Sequence, residues 1–193
     1  MTKETAWLPL ASGGRFYPLA PRIEDIHIQD IAHALSQVNR YVGQTTFPYS
    51  VAQHSVYVSR MVPAHLALVG LLHDASEAYL SDISRDVKML MPEYKEWEAN
   101  LERMIAQRFD LPYPWPAEVK EADTEILRRE GAWLFPEHSA MWPAWGITNR
   151  QDYLPISQLT SAQAKLLFLH RFEDLTTKRR SNGCVVTEGV SRA

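Results

Sequence analysis

The sequence predicts an all-α fold. Apolar residues recur at three- and four-residue steps in segment after segment, which is the spacing of one helix face. No stretch alternates polar and apolar residues in the manner of a half-buried strand. Clusters of Pro and Gly separate the periodic segments and mark where helices stop. Together these features predict a compact bundle of about six or seven helices, with no internal repeat and no low-complexity segment.

The stretch up to about Pro21 is rich in Gly and Pro and reads as loop, with room for a short hairpin around Gly14 to Tyr17. Ile28, Ile31, Ala32, Leu35 and Val38 then form a helix face, with Asp30 near its start as a cap and an end near Asn39–Gly43. After the break at Phe47-Pro48-Tyr49, Ser50 is placed to cap a helix carrying Val51, His54, Ser55, Val58 and Met61. Pro63 stops that helix and opens the next, which carries Leu66, Val69, Gly70, Leu72, His73 and Glu77. This helix is apolar nearly all round before His73, so it belongs at the centre of the molecule. A shorter helical piece follows Asp82 and runs through Met91, where Pro92 closes it. Trp97, Leu101, Met104 and Ile105 line one side of a helix over Tyr94 to Phe109. Leu111-Pro112-Tyr113-Pro114-Trp115-Pro116 is a rigid linker. Val119, Ala122, Asp123, Ile126 and Leu127 share a face of a helix over Ala117 to Trp133. Leu134 to Tyr153, with the Trp-rich run to Trp145, reads as irregular loop. A last helix spans about Ser161 to Leu175. The organisation is therefore one domain over residues 1–177 and a polar tail over 178–193.

Composition bounds the function. With 193 residues, nearly half of them hydrophobic, the chain can bury a sizeable single core. The net charge of −3 comes without a basic stripe ahead of the tail, which argues against a nucleic-acid polymer as partner but leaves a single nucleotide open. The lone Cys184 cannot form an intrachain disulfide, so a reducing cytoplasm is the expected setting. The opening MTKETAWLPLASGG lacks the apolar run of a signal peptide, and nothing approaches the roughly 18 apolar residues of a membrane span. A soluble, intracellular protein without membrane contact is expected.

The chemistry concentrates at three places. His73-Asp74 lies between Leu72 and Ala75, where a buried helix would have to hide two ionisable groups. Buried charge is costly without a partner or a metal. Glu77 falls one turn on, so all three side chains can aim at one spot. His54 sits among Val51, Val58 and Met61, and Asp123 among Val119, Ala122 and Ile126. Three otherwise apolar faces thus offer metal-type ligands. Mixed imidazole and carboxylate donors suit a divalent transition ion such as Co, Zn, Mn, Fe or Ni. His27, His33, His65, His138 and His170 lack such company and read as ordinary surface or core residues.

In this ordered set the chain resembles the HD-domain phosphohydrolases. The resemblance rests on Tyr49-Ser-Val-Ala-Gln-His54-Ser, on Leu71-Leu-His73-Asp74-Ala-Ser-Glu77-Ala-Tyr-Leu-Ser-Asp82-Ile, on Asp30-Ile-Ala-His-Ala-Leu and on Val119-Lys-Glu-Ala-Asp123. It covers roughly residues 14 to 130. It implies a helical bundle with a divalent transition metal, Co, Zn or Mn foremost, on His54, His73, Asp74 and Asp123. Glu77 matches the proton-transfer residue and Asp82 a second acid of the site; as a residue on its own, Asp82 reads equally well as a helix N-cap. Arg40 matches a substrate-binding arginine, whose guanidinium can clamp phosphate. With Lys88 and Lys120, the latter one turn before Asp123, it would cradle a chain of phosphates. Tyr41 stands where the deoxynucleotidases commonly carry Trp and is placed to stack on sugar or base.

The resemblance is closest to small deoxynucleotide hydrolases, in two branches: bacterial 5′-deoxynucleotidases, and phage dATP triphosphohydrolases. The Gly14-Arg15-Phe16-Tyr17 opening and the brevity of the chain favour the second. The expected reaction is dATP to deoxyadenosine and triphosphate, in the host cytoplasm if the chain is phage-encoded; the alternative is phosphate release from deoxynucleoside monophosphates. Relatives of this kind assemble, so a homo-oligomer is expected. A non-catalytic binding module is disfavoured by Glu77. A cyclic-dinucleotide phosphodiesterase is disfavoured because the extra histidines and the Gly-Tyr-Pro of that branch are missing.

Overall fold

The computed structural model describes residues 5–138 and 155–183. The fold is all-α. A two-residue antiparallel hairpin, β1 (Leu8–Pro9) with β2 (Arg15–Phe16), opens the chain. It precedes helices α1 (Ile28–Leu35), α2 (Val51–Met61), α3 (Ala67–Leu72), α4 (Glu77–Leu80), α5 (Arg85–Met89), α6 (Pro92–Arg108), α7 (Ala117–Leu134) and α8 (Ser161–Gly183).

Helix α2 is the centre of the fold, packed against α1, α3, α7 and α8. Its start is fixed locally, because the Ser50 hydroxyl accepts the Gln53 amide at 3.3 Å. Val51, Ala52, Val56 and Val58 are fully buried, and so are the polar Gln53, His54, Ser55 and Ser59. Helix α3, apolar in every residue, is buried along its whole length. The two helices approach closely at Gly70. A Cβ there would lie 3.0 Å from Val62 Cγ2 and 3.2 Å from Ser59 Cα, so any side chain would crowd the crossing. The hairpin is held to the bundle by Phe16, whose ring stacks on Tyr79 at 3.8 Å, and by Asp30, which accepts both the Ser12 amide and hydroxyl.

Several expectations change in the structure. The helix read from Leu66 to Glu77 is broken: α3 ends at Leu72, and α4 begins only at Glu77. The intervening bonds tighten to three-residue spacing, as in Ala75 N–H to Leu72 O and Glu77 N–H to Asp74 O. The His73 ring takes the Gly70 carbonyl at 2.9 Å, and a side chain inserted at a helix carbonyl bends the ladder. Asp30 is no cap, being the third residue of α1; His27 flanks that helix, and Asp30 serves the hairpin instead. Pro92 opens α6 rather than only closing the piece before it, as suits a residue with no amide hydrogen to leave unbonded. Helix α8 continues past Leu175 to Gly183, into the stretch read as tail. The Thr176 hydroxyl folds back on the Phe172 carbonyl, and Arg179 anchors this extension to Asp110 at 2.6 Å. The irregular loop read beyond Leu134 falls largely on 139–154, outside the described residues, as do Trp142, Trp145 and the tail from residue 184. Among the described residues, no helix is long and apolar enough to cross a membrane.

Candidate metal centre

The bend between α3 and α4 turns His73 and Asp74 toward α2, and α7 crosses the same point with Asp123. His54 Nε2 lies 3.0 Å from Asp123 Oδ1 and 3.6 Å from Asp74 Oδ2. His73 Nε2 lies 3.2 Å from Asp74 Oδ2 and 3.9 Å from Asp123 Oδ1. Ligand atoms of His54, His73 and Asp123 all fall within 4.8 Å of one another, and this buried group could hold a metal ion. Asp74 joins through its contacts with both rings, to one side of that trio.

The chemistry of the donors fits a cation. His54 Nδ1 is 2.7 Å from the buried Glu130 carboxylate, and His73 Nδ1 is 2.9 Å from the Gly70 carbonyl. Both acceptors require the proton on Nδ1. Each Nε2 is then left to offer a lone pair, and neither has a hydrogen-bond partner despite being buried. The 3.0 Å approach of His54 to Asp123 is an ion-pair distance without the alignment of a hydrogen bond. An acceptor behind Nδ1 and an open Nε2 are the usual dress of a metal-ligating histidine.

Electrostatics of the metal-free protein show how tightly the charges are coupled. Burial and Arg40 oppose charge on His54, yet Glu130 and Asp123 outweigh them and raise its pKa. Burial also opposes charge on His73, and Asp74 and Asp123 again win, holding it well above the ordinary range. Asp123 resists burial through His54 and His73 and sits far below the usual carboxylate range. Asp74 is lowered as well, with His73 overcoming burial. A cation at this point would replace the protons that the rings otherwise hold against the carboxylates.

Around this centre the other candidates take different places. The Arg40 guanidinium is 3.6 Å from Asp74 and 3.4 Å from Glu130, in the wall of the site. Tyr41 and Val42 beside it adopt left-handed backbone, φ 55° and 52°, followed by Gly43 at 73°. This costly turn swings the Tyr41 hydroxyl to within 3.4 Å of Glu130. Burial pushes the Glu77 carboxyl well above the usual range, with Asp74 and Asp82 adding to the effect, and one of its oxygens has no partner. Burial raises Asp82 too, against the pull of Arg40. Asp82 does not cap a helix; Ser84 flanks α5. Lys88 faces Glu77 and Asp74 electrostatically, but its ammonium is held at 2.5 Å by Glu98. Lys120 is exposed and, among the described residues, makes no ion pair with the site carboxylates. The shared face with Asp123 sets where its stem begins, not where a long side chain ends.

Glu130 is the residue that sequence reasoning missed. It is fully buried and touches His54, Arg40, Tyr41 and the Tyr49 hydroxyl, the last by a short hydrogen bond. Its signal was present but faint: it lies seven residues after Asp123, two turns along the same face, just ahead of Gly131-Ala132. Tyr49 opens the quoted run to His54 and precedes the Ser50 cap, but nothing in the sequence marked it as a partner of Glu130.

No family model matches the chain. It is 36% identical over 169 residues to the uncharacterized protein YfdR of Escherichia coli (strain K12), covering 88% of this chain and 95% of that protein. It is also 39% identical over 139 residues to the uncharacterized protein RCAP_rcc00048 of Rhodobacter capsulatus, covering 65% of this chain and 71% of that protein.

Proposed function

The chain belongs to the family of Escherichia coli YfdR, and we propose that it is a metal-dependent phosphohydrolase of deoxynucleotides, of the HD-domain kind its sequence resembles. The observation that carries this reading is the pair of buried imidazoles with Nδ1 engaged, their free Nε2 atoms turned toward Asp123 and Asp74. In this reading His54, His73, Asp74 and Asp123 hold the ion, with Co, Zn or Mn the favoured metals. When bound, a divalent ion supplies Lewis acidity toward a phosphoryl oxygen and activates water near neutral pH.

The chain's own groups supply the rest. Glu77, whose carboxyl is held up in pKa and lacks a partner on one oxygen, takes a proton from water or delivers one to the leaving oxygen. Asp82 orients that exchange from the side of Glu77. Arg40 keeps its ion pair with Glu130 and exchanges the one with Asp74 for a phosphate, a bidentate contact its planar fork suits. Tyr41 flanks the sugar or base.

The leading substrate reading is dATP, cleaved to deoxyadenosine and triphosphate. One observation favours the second reading, a 5′-deoxynucleotidase: Lys88 is tied to Glu98 and Lys120 stands outside the cluster, so Arg40 is the cation in contact with the centre and a single phosphate would satisfy it. All four dNTPs and dNMPs, incubated with Co, Zn or Mn and resolved by chromatography, decide between them. Intact triphosphate from dATP supports the first reading. Orthophosphate from monophosphates alone moves the assignment to the second. No hydrolysis of either class with any ion would sink both and leave a non-catalytic binding module.

A further inference from the structure

Four groups from the stretch between Arg40 and His54 converge on one buried carboxylate of a remote helix. Glu130 lies on α7, two turns beyond Asp123, with no exposure to solvent. One oxygen, Oε1, meets both His54 Nδ1 at 2.7 Å and the Tyr49 hydroxyl. The other, Oε2, is 3.4 Å from Arg40 Nε and 3.4 Å from the Tyr41 hydroxyl. A carboxylate sealed from water is costly unless it is paired, and this one has the Arg40 guanidinium, the His54 ring and two tyrosine hydroxyls around it. Tyr49 donates to it and cannot take its place.

This arrangement does more than neutralise charge. With both tyrosine hydroxyls donating to this carboxyl, its Oε1 serves as acceptor for the His54 ring, which puts a proton on Nδ1 and leaves Nε2 facing Asp123. The same carboxylate also lies 3.4 Å from Arg40 Nε, an ion-pair contact without the alignment of a hydrogen bond, while Nη1 faces Asp74. We propose that Glu130 is the positioning residue of the site: it orients His54 as a metal ligand through Nδ1, and the same carboxylate balances the charge of Arg40. The inference rests on the metal reading above and adds to it a fixed tautomer. It also makes α7 a double contributor, with Asp123 facing the cation and Glu130 standing behind its partner ligand.

The test uses the full chain and Co2+ alone, with no nucleotide. Cobalt affinity is read from the visible absorption of the bound ion in wild type, Glu130→Ala and Glu130→Gln. Loss of an outer-shell carboxylate weakens metal binding by about 10- to 100-fold. Glu130→Ala is expected to lose that much, and Glu130→Gln, which keeps an acceptor oxygen for Nδ1–H, to recover part of it and the wild-type spectrum. In zinc-loaded wild-type protein, long-range 1H–15N correlation should show His54 protonated at Nδ1 and coordinated through Nε2. This measurement needs no variant and decides the matter if the substitutions fail to fold. Folded variants that bind cobalt like wild type, or a His54 coordinated through Nδ1, overturn the inference while the metal reading stands. A wild-type protein that takes up no cobalt overturns the metal reading and the inference with it.

Discussion

At Glu77 a carboxyl is buried beside Asp74 and Asp82 with one oxygen unpartnered, an arrangement that stability alone would not favour. Replacement by Gln keeps its shape and removes its basicity. Glu77→Gln should lower nucleotide turnover by about 10²- to 10⁴-fold, the usual worth of a positioned acid–base group, while cobalt affinity stays within a few-fold of wild type. Steady-state kinetics beside a cobalt titration checks this, and unchanged turnover would remove Glu77 from the mechanism. Legibility at this scale follows the cost of burying charge. His54, His73, Asp74 and Asp123 stood out because each interrupts an apolar face, and that rule reaches as far as one helix at a time. Glu130 escaped it. Its partners His54, Arg40 and Tyr49 are remote from it in sequence, and its own neighbours Arg128 and Arg129 look like a solvated surface, although they are half-buried and paired with Glu125. Lys120 errs the other way, since helical phase predicts a Cβ direction and says little about a flexible ammonium.

Among the elements, the crossing of α2 and α3 decides how far apart the two imidazoles sit, with ring centroids at 5.5 Å. Gly70 sets that crossing. Ala would gain a little helix propensity, but its methyl would press on the Ser59 backbone, which cannot turn aside. Gly70→Ala should therefore cost about 1–3 kcal/mol in urea unfolding and weaken cobalt binding as α2 shifts; a variant as stable as wild type would show that the helices yield easily. Helix α6 carries a separate liability. Burial, with Glu98 and Asp74 nearby, pushes the Glu102 carboxyl up to about 7, although Tyr113 donates to it. A carboxyl whose pKa is higher folded than unfolded grips its proton more tightly in the folded state. Its cost is absent below the unfolded value near pH 4, grows as pH rises and is complete above about pH 7. Glu102→Gln should match wild type near pH 4 and exceed it at pH 8 by about 1 kcal/mol, allowing for screening at a half-buried group. Equal stabilities at pH 8 would show that the carboxyl is ionised without cost. Element boundaries were legible where a local group fixes them, as at Ser50. They were not legible at His73, where a side-chain bond to Gly70 breaks a helix that the apolar pattern alone would continue.

For the whole molecule, the all-α class was readable from periodicity because every main element buries one stripe. The centrality of α2 was not, since Gln53, His54, Ser55 and Ser59 give it a polar content that belongs on a surface. Tertiary contacts account for those groups: Gln53 reaches the Ser157 carbonyl, and Ser59 holds Arg171 of α8. The extension of α8 was hidden for the same reason, its anchor on Asp110 lying far away in the chain. The candidate metal centre sits where these long-range contacts meet, with one proposed ligand on α2, two at the bend after α3 and one on α7. An unfolded chain cannot assemble that set, so metal binding and folding should be linked. With free Co2+ at a hundred times its dissociation constant, the stabilisation should be about 2.7 kcal/mol, which for a chain of this size raises the melting temperature by roughly 5–10 °C. A chelator should reverse the shift. His54→Ala should abolish the cobalt-dependent shift, read against the melting temperature of that variant without metal. A melting temperature indifferent to both cobalt and chelator would mean that the three elements meet for some other reason than to share a cation.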